Sequence, residues 1–148
     1  GSDLKLFEKK QVFQKTLNKI LVYKKNHKFN FILIHPGIKC STKEIYSKVK
    51  KYSNPSKINY NLIRDKKKFL ELLSKDRNDL QSVAVKKFPV IKKIIDLISD
   101  QKGCNFARMT GSGSVCFGVF NSFKSAKNAL DVIKKKHPKY WCIITKTI

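Results

Sequence analysis

Arginine is scarce in an otherwise strongly basic chain. Of 33 lysine and arginine residues only Arg64, Arg77 and Arg108 are arginine, and 10 acidic residues leave a formal charge of +23. A surface built to read nucleic acid draws on arginine for bidentate contacts to bases and phosphates. Here the lysines are scattered along the whole chain, among frequent Asn and Ile. That is compositional drift rather than a basic tract, so no nucleic-acid partner is expected. Attraction for a diphosphate or triphosphate is the milder consequence of the same charge. Cysteine is sparse too. Cys40, Cys104, Cys116 and Cys142 form no C-x-x-C pair, and no histidine lies at zinc-ligand spacing from them. This argues against a metal site and for reduced thiols, with Cys116 and Cys142 as small core residues inside apolar runs. No apolar run reaches the roughly 18 residues needed to span a bilayer; the longest, Phe29–His35, is strand length. Lys5, Lys9 and Lys10 interrupt any signal-peptide hydrophobic region, so no membrane partner is expected and a soluble cytoplasmic protein is the default.

What is present suffices for a folded domain. The chain has 148 residues, 41% apolar and 11% aromatic, which can bury a core without disulfides or metal. Gln11–Leu17 and Lys19–Tyr23 read as short strands with Asn18 at the turn. Phe31, Ile32, Leu33 and Ile34 in succession mark a buried strand over Asn30–His35, ended by Pro36-Gly37. Ser41-Thr42-Lys43-Glu44 has the form of a capping box and predicts a helix from about Thr42 to Lys50. Lys51–Asn61 is polar and lacks period, as a surface loop does. Asp65–Ser74 is predicted helical. Asn78 is a good N-cap for the next helix, where Asp79 complements the dipole and Leu80, Val83, Ala84 and Phe88 form the buried stripe. Pro89 suits the first turn of a further helix with Ile91, Ile94, Ile95 and Ile98 on one face. Strands follow over Asn105–Thr110 and Ser114–Phe120. Asn121 or Ser122 then caps a helix with Phe123, Ala126, Leu130 and Ile133 sharing a face, and Trp141–Thr147 is a last strand. The order predicts an α+β fold, an antiparallel sheet with helices on one face, near the ferredoxin-like motif.

The stretch Ala107–Phe120 organises this reading. Apolar residues run into five small ones, Thr110-Gly111-Ser112-Gly113-Ser114, and out again. No Gly-Lys-Ser/Thr follows and a strand comes next, so this is not a Walker A loop. The glycine spacing does not fit a dinucleotide fingerprint either. A hairpin turn and a phosphate-contacting loop remain open on spacing alone. Five small residues exceed what a minimal turn needs, and Arg108 sits just before them.

Taken whole, Ala107-Arg108-Met109-Thr110-Gly111-Ser112-Gly113 followed by Val115-Cys116-Phe117-Gly118-Val119-Phe120 resembles the third motif of the GHMP kinase superfamily. Within it the match is to the 4-diphosphocytidyl-2-C-methyl-D-erythritol kinase family. Asn78-Asp79-Leu80 is similar to that family's Asn-Asp-Leu-Glu block, with Gln81 departing in the last place. His35-Pro36-Gly37 and Ser41-Thr42-Lys43-Glu44-Ile45-Tyr46 resemble its cytidine-reading segment. Gly1-Ser2-Asp3 is similar to a Gly-Ser/Ala-Asp-Val-Pro motif, with Leu4-Lys5 in place of Val-Pro.

The resemblance implies an ATP-dependent kinase, working with Mg²⁺, of the non-mevalonate isoprenoid pathway, phosphorylating the 2-hydroxyl of 4-diphosphocytidyl-2-C-methyl-D-erythritol. Asp3 would be the catalytic carboxylate, taking or orienting the proton of the attacking hydroxyl. Tyr46 would stack on cytosine, Thr42 would lie close to the nucleotide, and Thr110, Gly111, Ser112 and Gly113 would form the loop wall behind the phosphates. Asn78 and Asp79 are expected to cap a helix, and His35 to end a strand. The superfamily's main triphosphate loop, Gly-Leu-Gly-Ser-Ser-like, does not occur among these residues. Residues 1–24 are therefore expected to finish an N-terminal kinase domain that the chain otherwise lacks, and residues 25–148 to form the GHMP kinase C-terminal domain. Its partner would be that missing half, and the chain alone would be inactive, with an apolar surface exposed where that half should pack. The alternatives are a non-catalytic ferredoxin-like module that binds a small ligand or partner, and a basic nucleic-acid binder.

Overall fold

In a computed structural model, residues 12–16, 19–22, 27–54 and 64–147 are described. β1 (Val12–Thr16) and β2 (Lys19–Val22) make an antiparallel two-stranded sheet in which Val12 faces Val22. The remaining elements are β3 (Asn30–His35), α1 (Thr42–Ser47), α2 (Lys66–Lys75), α3 (Asp79–Lys87), α4 (Pro89–Ser99), β4 (Cys104–Met109), β5 (Cys116–Phe120), α5 (Phe123–Lys136) and β6 (Trp141–Lys146). The four later strands order as β4-β5-β3-β6, each neighbouring pair antiparallel. The first strand of this sheet thus lies between its third and its last, the ferredoxin-like arrangement the element order predicted.

Side-chain alternation assigns the two faces. Ile32 and Ile34 of β3 stand opposite Gly118 and Cys116 of β5, and Ile144 and Cys142 of β6. This face carries the main core, where Ile91, Ile94 and Ile98 of α4, Ala84 of α3 and Ala126, Leu130 and Ile133 of α5 are all buried. Gly118 is what lets α4 approach: a Cβ there would lie 2.2 Å from Ile98 Cγ2. The other face presents Phe31, Phe106, Phe117 and Val119. α2 lies on it through Phe69, Leu70 and Leu73, closing a second, smaller aromatic cluster with Phe29. The helices expected on one face are there, and α2 is an addition on the other.

Local sequence sets most helix ends. Asp65, Asn78 and Ser122 accept the capping N–H of Lys68, Leu80 and Ser125, and Pro89 starts α4 where its missing N–H costs nothing. Two expectations need correction. Ser41 caps α1, but Glu44 does not reach back to it. Its carboxylate instead pairs with Lys48 (2.9 Å) and with Lys87 of α3, and the helix ends at Ser47 rather than near Lys50. Phe123 is 55% exposed while Ala129 is buried. Phe123 is the first residue of α5, and the stripe that meets the sheet is Ala126, Ala129, Leu130 and Ile133, at the i, i+3, i+4, i+7 spacing.

Candidate active site

The β4–β5 connection is both a turn and a held loop. Thr110 N–H donates to Val115 O (2.9 Å) and Gly113 N–H to Thr110 O (3.1 Å). Gly111 and Gly113 have φ of +54° and +92°, the left-handed region where a side chain is strained. At Gly113 a Cβ would also come within 2.8 Å of Met109 Sδ and 3.3 Å of Cys40 Sγ. Gly113 is thus packed inward, whereas at Gly111 nothing lies within 4 Å of where a Cβ would stand and the backbone is open to a ligand, as a phosphate-contacting turn requires.

Three segments clamp this loop. The buried Ser114 hydroxyl donates to Ile38 O (2.5 Å). Thr42 Oγ1, in the first turn of α1, is hydrogen-bonded to Ser112 Oγ (2.9 Å) across 70 residues. Asn78 Nδ2 donates to Met109 O (2.9 Å) and Gly111 O (2.8 Å) from the N-terminus of α3. Asn78 therefore caps α3 as expected and holds the loop as well. Tyr46 and Tyr52, 50% and 55% exposed, line a cleft of about 440 Å³ whose floor includes Asn78, Thr110, Gly111 and Phe117. Tyr52 is brought there by Asp79, whose carboxylate accepts the N–H of Ser53 (2.9 Å) and its hydroxyl (2.6 Å). Those bonds hold the Asp79 carboxyl below its ordinary range.

The structure thus sets Tyr46, Thr110 and Gly111 on one cleft, while Thr42 and Ser112, bonded to each other, and Gly113 lie next to it at the start of α1 and in the same loop. Asp3 lies outside the described residues. Arg108, which the sequence placed in favour of an anion loop, also lines this cleft, but its guanidinium is anchored to backbone away from the loop. Its Nη2 donates to Leu73 O (2.7 Å) at the C-terminal end of α2, and its guanidinium lies 5.1 Å from the Phe106 ring centre. It points to the sheet face opposite the main core because β4 alternates, and its burial lowers its pKa. His35 ends β3 and its Nδ1 accepts Gly37 N–H (3.0 Å), a structural role as expected. All four cysteines are free thiols, with Cys116 and Cys142 buried. The residues the sequence reading missed are Ser53 and Tyr52, inside the loop read only as polar; Ser114 was read as part of the small-residue loop but not as its anchor to Ile38. Nothing in the sequence spacing marks them, because their partners are 26 to 76 residues away.

Among the described residues no three His, Cys, Asp or Glu side chains gather as metal ligands. No described helix is long and apolar enough to cross a membrane.

The family model described as GHMP kinases C terminal matches residues 59–139, from before α2 to the end of α5. The chain belongs to the GHMP kinase family. Within that family it is 37% identical over 126 residues to a 4-diphosphocytidyl-2-C-methyl-D-erythritol kinase of Pelagibacter ubique, covering 85% of this chain and 44% of the relative. A kinase of the same name from a Wolbachia of Drosophila simulans is 40% identical over 121 residues, covering 80% and 41%. The chain spans less than half the length of these GHMP relatives. Two crystal structures share the fold. A 4-(cytidine 5'-diphospho)-2C-methyl-D-erythritol kinase superposes with a TM-score of 0.60 at 20% identity, over 80% of this chain and 43% of that one. A homoserine kinase from Cytophaga hutchinsonii gives 0.65 at 13% identity, over 93% and 47%.

Proposed function

We propose that this chain supplies one wall of the active site of an ATP-dependent kinase that phosphorylates the 2-hydroxyl of 4-diphosphocytidyl-2-C-methyl-D-erythritol. The observation that carries the reading is a cleft lined by Tyr46, Thr110 and Gly111, beside which Thr42 is hydrogen-bonded to Ser112 of the same loop. The name borne by the relatives supports the substrate. Tyr46 offers a half-exposed flat ring for the cytosine. The small residues of the loop leave room for the diphosphate beside Thr42 and Ser112. In the transfer step the substrate oxygen attacks the γ-phosphorus of ATP, the bond from that phosphorus to the β,γ-bridging oxygen breaks, and ADP leaves. Asp3 would take or orient the hydroxyl proton. The wall contributes position and a fixed backbone, with no covalent intermediate. The described residues hold no carboxylate cluster for Mg²⁺.

The remaining parts of the reading are the division at residue 24, a partner half carrying the main triphosphate loop, and soluble cytoplasmic action. The test is to co-express the chain with the N-terminal half of a related kinase and follow ATP consumption with 4-diphosphocytidyl-2-C-methyl-D-erythritol. Substrate-dependent turnover that Asp3→Asn abolishes is the expected result. Turnover by the pair that Asp3→Asn leaves intact would refute the role of Asp3. No turnover, together with no binding of cytidine diphosphate by the chain, would leave the non-catalytic module as the reading.

A further inference from the structure

Asn78, the N-cap of α3, and Asp79, its first residue, reach both walls of the cleft. Asn78 uses its whole carboxamide. Oδ1 accepts Leu80 N–H (3.0 Å), and Nδ2 donates to Met109 O and Gly111 O. The orientation is unambiguous, since a flipped amide would set oxygen against two carbonyls and nitrogen against an N–H. A helix cap alone needs only an acceptor, which Ser or Asp would provide equally well. Here one short side chain must accept once and donate twice, and among common N-cap residues only Asn does so. Asp79 then holds Ser53 by two bonds, and with it Tyr52. Behind them α3 is fixed in the core by Leu80 and Ala84, both buried. Gln81 Oε1 also accepts the N–H of Met109 (2.9 Å).

We propose that Asn78 and Asp79 are a positioning pair. The rigid end of α3 sets the glycine loop through Asn78 and the Tyr52 segment through Asp79, and so fixes the width of the nucleotide cleft. This rests on the cleft being the nucleotide site and names the residues that set its shape. Neither acts on the reacting atoms.

The test uses the full chain with two probes, cytidine diphosphate and pyrophosphate, together with the amide spectrum. Asn78→Ser keeps the cap but cannot reach the loop. The expected result is a melting temperature close to that of the unaltered chain, displaced or broadened amide signals for Gly111 and Gly113, and an affinity for both probes lower by about tenfold. Asp79→Ala should instead displace the Tyr52 and Ser53 signals and weaken cytidine diphosphate while leaving pyrophosphate unchanged. A purely capping role would not produce that split. If Asn78→Ser does not fold, Asn78→Asp carries the same test, since it caps equally well but turns a carboxylate toward two carbonyls. Unmoved glycine signals, or affinities within about twofold of the original, overturn the proposal. A chain that binds neither probe overturns the functional reading. The glycine signals, which need no ligand, still decide in that case whether Asn78 positions the loop.

Discussion

Replacing Gly118 by alanine should be among the most damaging single-methyl changes available to this chain. The added Cβ would lie 2.2 Å from Ile98 Cγ2, 3.1 Å from Phe120 Cε2 and 3.6 Å from Cys104 Sγ. The first contact is far inside van der Waals range, and it cannot be relieved by a rotamer change. Ile98 is a β-branched residue on a helix, where one χ1 rotamer dominates, and it is fully buried. Relief therefore requires α4 to move off the sheet, against Ile91 and Ile94, which are buried in the same core. Overpacking of this kind costs about 1–3 kcal/mol. At about 2 kcal/mol a chain of this size loses about 4–8 °C of melting temperature. The assay is thermal unfolding by circular dichroism of four proteins: the original, Gly118→Ala, Ile98→Ala, and the double variant. Ile98→Ala alone leaves a cavity and costs about 2–5 kcal/mol. In the double variant the new methyl occupies part of that space, so its loss should fall short of the sum of the single losses by about 1 kcal/mol or more. A Gly118→Ala protein that melts with the original, or a strictly additive cycle, would refute the claim that glycine is there to admit α4.

Tyr46→Ala should weaken cytidine diphosphate by roughly 5- to 100-fold, the range that loss of one base–aromatic stack implies, and leave pyrophosphate unchanged; equal loss of both in calorimetric titrations would mean that Tyr46 only supports the fold. Burial pushes the Cys104 thiol up to about 11 and Cys116 up to about 12 from an ordinary 9.0. Because the fold favours the protonated thiols, the stability they contribute is fully present below about pH 9 and is lost as pH rises toward 11–12. Urea titrations at stepped alkaline pH should show that decline, and Cys116→Ala should make it shallower. Despite the charge of +23, retention on random duplex DNA should be weak; a steep fall of tight binding with salt, as many neutralised phosphates produce, would favour the nucleic-acid reading over the kinase one.

How far the fold was legible follows from the range of the interactions that build it. Asp65, Asn78 and Ser122 cap helices through bonds to residues two or three positions ahead. Such signals are complete within a short window of sequence, and so is the run of isoleucines on α4. The capping box of α1 stayed half-formed because the Glu44 carboxylate was drawn to Lys87, a partner in another helix. Phe123 kept the right period yet stayed exposed, because period says which residues share a face and not where along the helix the sheet begins to cover it. Arg108 was read beside the loop it precedes, but strand alternation turned it toward α2.

The small-residue loop, the helix order and the family resemblance are therefore properties of the sequence by itself. Residue type and near-neighbour spacing determine backbone freedom, capping and apolar period. The cleft is a property of the tertiary structure. Thr42 meets Ser112 across 70 residues, Asn78 meets Gly111 across 33, and Asp79 meets Ser53 across 26. The first two exist because the sheet order β4-β5-β3-β6 sets the β4–β5 turn beside the starts of α1 and α3, and the third because the segment after α1 passes the start of α3. A hydrogen bond needs its donor and acceptor within about 3 Å, and only the packed core brings such distant residues that close.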